Sequence, residues 1–114
     1  AAIARARAAA DRSDLVIAVT NRAWSSPAQQ RLVAELVASG KPAIVAAVRD
    51  PYDIAHLPSA ETYVATYSYA GVSLRALAKT LFGEVNPSGR LPVDIPAAGD
   101  PGTVLYPFGH GLGY

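Results

Sequence analysis

Leu15-Val16-Ile17-Ala18-Val19 and Ala43-Ile44-Val45-Ala46-Ala47-Val48 are two continuous apolar runs rich in β-branched residues. A strand with one face in water alternates apolar and polar residues. A run without alternation is the pattern of a strand buried on both faces. Between the two, Ser26 offers an N-cap, Pro27 a first helical position and Gln29 the return partner of a capping box. Leu32, Val33, Leu36 and Val37 recur at helical spacing as one apolar stripe, with Gln30, Arg31 and Glu35 on the opposite side. Gly40 closes that helix as a C′ residue. Strand, helix and strand in such close succession make a βαβ unit, which predicts parallel strands joined by a right-handed crossover.

Outward from this unit, Ala1 to Ala10 is alanine-rich and predicts a helix ending near Asp11. Arg5, Arg7 and Arg12 stand among alanines beside Asp11 and Asp14, the composition of a solvated helix face rather than a basic arm. Arg49-Asp50-Pro51-Tyr52-Asp53 reads as a turn, with Asp53 capping a short helical turn that reaches His56. Thr62 to Tyr67 reads as a third strand. Leu74, Leu77, Ala78 and Leu81 set an apolar face on a further helix, ended by Gly83. The tail is dense in proline and glycine and reads as holding at most one short strand, around Leu91 to Val93.

Buried strands need cover on both faces, which gives a three-layer α/β/α sandwich around a mainly parallel, flavodoxin-like sheet. Such sheets normally have five strands. Three or four here, behind an opening helix, predict a sheet incomplete at its N-terminal side, with an edge of the first strand left for the parent protein to cover.

A chain of 114 residues suits one domain or part of one, and 51% hydrophobic against 17% charged residues is the balance of a folded core. A net charge of +1 gives no electrostatic case for nucleic acid or an anionic membrane. No run approaches the length of a membrane span, and without cysteine there is neither disulfide nor thiolate metal site. The start carries no signal-peptide order and no initiator methionine, so it reads as a domain boundary. Cytoplasmic and secreted locations both stay open.

Asn86-Pro87-Ser88-Gly89-Arg90-Leu91-Pro92-Val93 and Tyr106-Pro107-Phe108-Gly109-His110-Gly111-Leu112-Gly113-Tyr114 resemble the C-terminal signature of glycoside hydrolase family 3. The likeness runs through nearly the whole chain in order. Asp14 to Asn21 resembles the family's strand and following loop. Gly40-Lys41-Pro42 resembles its turn into the next strand, and Val48 to Ile54 the loop of its β-N-acetylhexosaminidase-like branch. Thr66-Tyr67-Ser68-Tyr69, Ala76-Leu77-Ala78 and Leu81-Phe82-Gly83-Glu84 complete the series. The resemblance implies that residues 1–114 are an accessory C-terminal α/β/α domain, partial, beside a catalytic (β/α)8 barrel that this chain lacks. In the family the barrel supplies an aspartate nucleophile, and hydrolysis retains configuration through a glycosyl-enzyme intermediate.

In β-glucosidase-like members a glutamate acid/base comes from a loop after a strand of this kind. Here the corresponding loop is Asn21-Arg22-Ala23-Trp24-Ser25-Ser26, without a carboxylate. In the hexosaminidase branch a His–Asp dyad on a barrel loop does that work. The resemblance therefore implies a domain with no catalytic residue; no cluster of histidines and carboxylates has metal-site spacing, and neither metal nor cofactor is expected. Phe108-Gly109-His110-Gly111 imitates the dyad loop, but its lysine–histidine–phenylalanine–proline lead-in is absent, so His110 reads as a decoy.

Asp50 and Asp53, three apart beside Pro51, read as a turn carboxylate and a cap rather than an acid/base pair or metal ligands, and His56 as a surface or interface residue. No Gly-x-Ser-x-Gly elbow is present, and no helix follows the glycines of 109–113 to cradle a phosphate. The candidates for substrate binding or domain interface are Asn21, Trp24, Arg49 and Tyr52. They fall just past the C-terminal ends of two parallel strands, where open α/β sheets bind ligands. Tryptophan, arginine and tyrosine there suit contact with a barrel domain, or stacking on a glycan at the domain edge. Tyr114 suggests docking of the tail.

Two readings of different class follow. The first is the accessory domain of a β-N-acetylhexosaminidase acting on GlcNAc-containing glycans, with a β-glucosidase or β-xylosidase parent as its variant. The second is a free-standing flavodoxin-like binding module with its pocket at the strand ends.

Overall fold

The two apolar runs become adjacent parallel strands, β1 (Val16–Thr20) and β2 (Ala43–Ala47), paired from Val16 with Ala43 to Thr20 with Ala47. In the computed structural model, which describes residues 2–113, a third parallel strand, β3 (Thr62–Ala65), lies on the far side of β2. The sheet order is β1-β2-β3. The fold is α/β, with helices α1 (Ala2–Asp11), α2 (Pro27–Val37) and α3 (Gly71–Leu81). Pro51–His56 forms the expected short helical turn, as a 3-10 helix.

Ser26 caps α2 as its sequence demands, accepting the Gln29 N–H at 3.3 Å, with Pro27 opening the helix. The Gln29 side chain does not return to Ser26. It brackets Asn21 instead, accepting its N–H at 3.0 Å and donating to its carbonyl at 2.8 Å. Gly40 takes a φ of 81°, which a side chain rarely adopts, as the chain turns toward β2.

The core is one cluster of Ala10, Ala18, Ala23, Val33, Leu36, Val45 and Leu57, so α1 and α2 cover one face of the sheet. Arg7 helps to join those helices. Its guanidinium reaches the Glu35 carboxylate at 3.4 Å and donates to the Glu35 carbonyl at 3.3 Å. Part of the face expected to be merely solvated is therefore a helix–helix contact.

Three expectations need correction. β2 is buried on both faces along Val45-Ala46-Ala47, but β1 is not: Leu15, Ile17 and Val19 are 49, 46 and 61% exposed. Burial depends on what covers a run, and nothing described covers that face of β1. On α3 only Leu77 is buried, while Leu74 and Ala78 of the expected apolar face are exposed. The tail holds two strands rather than one, an antiparallel hairpin of β4 (Ile95–Ala97) and β5 (Asp100–Tyr106).

Residues 91–93 lie outside that hairpin, yet Leu91 continues its pairing. Its N–H donates to the His110 carbonyl, and its own carbonyl accepts the Gly109 N–H, both at 2.8 Å. The tail is thus folded back on itself, with β4 lying beside the 51–56 turn. The docking expected of Tyr114 lies outside the described residues.

Candidate functional site

Because β1, β2 and β3 are parallel, Thr20, Ala47 and Ala65 all end at the same edge of the sheet. Three loops leave there, and one buried side chain organises two of them. Asp53 has no exposed surface. Its Oδ2 accepts the Thr20 hydroxyl at 2.7 Å, and its Oδ1 accepts the Trp24 backbone N–H at 3.1 Å. A carboxylate is tolerated in a core only when its oxygens are satisfied in this way.

Asp53 is therefore not the cap of its own turn. The N-cap position belongs to Asp50, whose side chain makes no capping bond either. Pro51 opens the turn and directs Asp53 inward to β1. Asp50 instead accepts the Trp24 indole N–H at 2.9 Å through Oδ2. Both carboxylates of the 49–53 loop thus hold Trp24, one by its backbone and one by its ring.

Arg22 completes the arrangement, its guanidinium carbon lying 5.4 Å from the centre of the Trp24 ring. That distance suits a cation–π contact. Arg22 adopts a left-handed φ of 57°, uncommon outside glycine and asparagine, where the chain leaves β1 and enters the 3-10 turn Ala23–Ser25. On the side of β3, the Tyr63 hydroxyl donates to the Pro51 carbonyl at 3.1 Å, so the 51–56 turn is tied to β3 as well. Burial, and then the nearby Asp53 carboxylate, push the Tyr63 phenol well above its ordinary range. Tyr67 turns the chain away from β3 with a φ of 63°.

Of the four candidates, Asn21 and Trp24 stand on the loop after β1, Arg49 and Tyr52 on the loop after β2. Trp24 is 38% exposed, Asn21 and Arg49 are exposed, and Tyr52 is half-buried. Among the described residues no hydrogen bond joins Arg49 or Tyr52 to the tryptophan. The partners that hold Trp24 are Asp50, Asp53 and Arg22, none of them among the four. Thr20 was the available signal: a hydroxyl closing an apolar strand needs a buried partner, and Asp53 is the carboxylate within reach.

His110 sits in the tail, its ring 5.0 Å from that of Tyr106, its backbone bonded to Leu91 and Pro107. Asp94 is bonded to the 107–110 segment, accepting the Phe108 N–H at 2.6 Å. Among the described residues no group of three or more histidines and carboxylates is arranged to hold a metal ion, and no helix is long and apolar enough to cross a membrane. A hollow of about 320 Å³ lies at the opposite end of the sheet, lined by Gly40, Lys41, Pro42, Ser59 and Glu61 among others.

The family profile described as "Glycosyl hydrolase family 3 C-terminal domain" matches residues 1–114. Among curated proteins none matches the chain. Two similar solved structures are of larger enzymes. One is a fungal multi-domain family 3 β-N-acetylglucosaminidase carrying a GCN5-related glucosamine N-acetyltransferase region, 34% identical, with a TM-score of 0.76 over 89% of this chain. The other is a family 3 β-N-acetylglucosaminidase from Paenibacillus sp. str. FPU-7, 33% identical, with a TM-score of 0.71 over 73% of this chain. The matched regions make up 12% and 16% of those two proteins. With its whole length matched and its fold shared, this chain belongs to the glycoside hydrolase family 3 C-terminal domains.

Proposed function

We propose that this domain serves, without catalytic residues of its own, in a retaining β-N-acetylhexosaminidase that removes terminal GlcNAc-type sugars in carbohydrate metabolism. A catalytic barrel of the parent protein is its partner, and its strand-end edge supports that barrel and borders the cleft. One observation carries the reading. The strand-end edge has two carboxylates, Asp50 and Asp53, and both are committed to holding Trp24 and Thr20. A general acid must be free to reach the leaving-group oxygen. The loop Asn21–Ser26 offers none, so the proton chemistry falls to the barrel.

The β-N-acetylglucosaminidase identity of the two neighbours supports the choice of sugar over a β-glucosidase or β-xylosidase parent. The free-standing module reading asks for a pocket at the strand ends, and the hollow at Gly40–Ala43 lies at the other end. Turnover of an aryl β-N-acetylglucosaminide tests the proposal. The 114-residue chain should show no hydrolysis, the complete parent enzyme should show it, and His110→Ala in that enzyme should leave kcat within about twofold. Turnover by the chain alone, abolished by His110→Ala, would overturn it.

A further inference from the structure

Among the described residues six take a left-handed φ. Four are glycines, at positions 40, 83, 99 and 109, where the conformation costs little. The other two, Arg22 and Tyr67, stand just past β1 and β3, so both lie at the strand-end edge. A bulky residue held left-handed stores strain, and such strain collects at functional sites. Arg22 has a use for its side chain within the chain, above the Trp24 ring. Tyr67 has none of that kind. Among the described residues its ring makes no ring contact and its hydroxyl no hydrogen bond, and it is 43% exposed. Burial of the remainder still raises the phenol above its ordinary value. A partly buried tyrosine hydroxyl ordinarily finds a partner. Glycine or asparagine would relieve the strain at position 67, so what tyrosine adds there is a side chain for a contact outside the chain.

We propose that Tyr67 anchors this domain on a catalytic barrel, its ring entering an apolar socket whose far end accepts the phenol O–H. The proposal rests on the reading that a barrel is this domain's partner. Tyrosine is enriched at the centres of protein interfaces because it buries a rigid apolar body behind one polar tip. Tyr69, two residues on, is 61% exposed and adds a second ring to the same loop. A glycan is the poorer occupant. At this edge the Trp24 indole N–H is taken by Asp50, and both Asp53 oxygens are taken by Thr20 and Trp24, so groups that could read sugar hydroxyls are already spent.

One substitution tested in two settings, the 114-residue chain and the complete parent enzyme, separates an external contact from internal packing. Tyr67→Gly removes the ring and relieves the strain. Tyr67→Asn, also at ease in a left-handed backbone, does so without the added flexibility of glycine. In the 114-residue chain both should leave Tm within about 2 °C of its starting value or raise it. In the complete enzyme both should lower the midpoint of thermal inactivation by about 5 °C, with KM unchanged. A loss of Tm in the 114-residue chain as large as that in the enzyme would make the ring ordinary packing and overturn the anchor. An unchanged inactivation midpoint would overturn it too, and if KM then rises, the ring meets the substrate instead. The accessory-domain reading fails separately, by turnover of an aryl β-N-acetylglucosaminide in the 114-residue chain.

Discussion

Tyr63 shows how one side chain at the strand ends couples the fold to pH. Its hydroxyl donates to the Pro51 carbonyl, and burial, followed by the Asp53 carboxylate, raises its pKa above the ordinary 10.0. In the unfolded chain the phenol ionises near that ordinary value, while the native state keeps the proton to higher pH. Above about pH 10 the unfolded state therefore holds fewer protons, and stability falls as pH rises; below that range the group contributes no slope. Tyr63→Phe should cost about 1 kcal/mol near neutral pH, the net worth of the lost hydrogen bond. The gap between the two proteins should narrow above pH 10, because phenylalanine has nothing to ionise. Urea midpoints of both proteins near pH 7 and at about pH 11 measure it, and an equal alkaline loss in both would refute the assignment. At this scale the sequence was half legible. Trp24 was visible as a candidate because an exposed aromatic past a strand end stands out. Its partners were not, because an aspartate beside a proline looks like a turn former. Only the β1–β2 register brings the loops after Thr20 and Ala47 together and shows that Asp50 and Asp53 face a neighbour instead.

Among the elements, those that declare themselves locally were the legible ones. α2 is set by Ser26, Pro27 and its apolar stripe, all within one stretch of chain, and it forms as read. The hairpin was hidden because its strands carry Pro96, Pro101 and Gly102, residues that normally argue against a ladder. The register shifts on both sides of Pro96, as expected where a residue has no N–H to give. What holds this tail is partly the absence of side chains. A Cβ on Gly111 would collide with the Gly89 carbonyl oxygen and the Arg90 side chain, so the 109–113 loop lies directly against the 89–91 backbone. Gly111→Ala should therefore push the loop away, at a cost of about 1–3 kcal/mol from overpacking. Hydrogen exchange gives the readout. The Leu91 and Gly109 amides, bonded across this seam, should lose protection, while those of Val45 and Ala46 in β2 keep theirs. Unchanged exchange at Leu91 and Gly109 would show that the seam does not depend on the glycine.

For the molecule as a whole, the βαβ unit was legible because a parallel sheet needs only alternating buried runs and a capped helix. The exposure of β1 was not, because burial belongs to the assembly and not to the run. Leu15, Ile17 and Val19 are 46 to 61% exposed beside an edge of the sheet, since among the described residues β1 pairs only with β2. On the hairpin, Val104 and Leu105 are 50 and 46% exposed, followed by Phe108 at 71%. Scattered apolar residues on a surface are ordinary, but a contiguous apolar strand with an open backbone edge is a template for association. The 114-residue chain should accordingly self-associate as its concentration rises, as measured by sedimentation velocity. Ile17→Thr with Val19→Thr should shift it toward monomer, because threonine keeps the β-branched shape of a strand residue while removing apolar surface. The same pair should destabilise the chain little, since both side chains are already exposed. A chain that stays monomeric at high concentration would mean that the face is solvated as it stands.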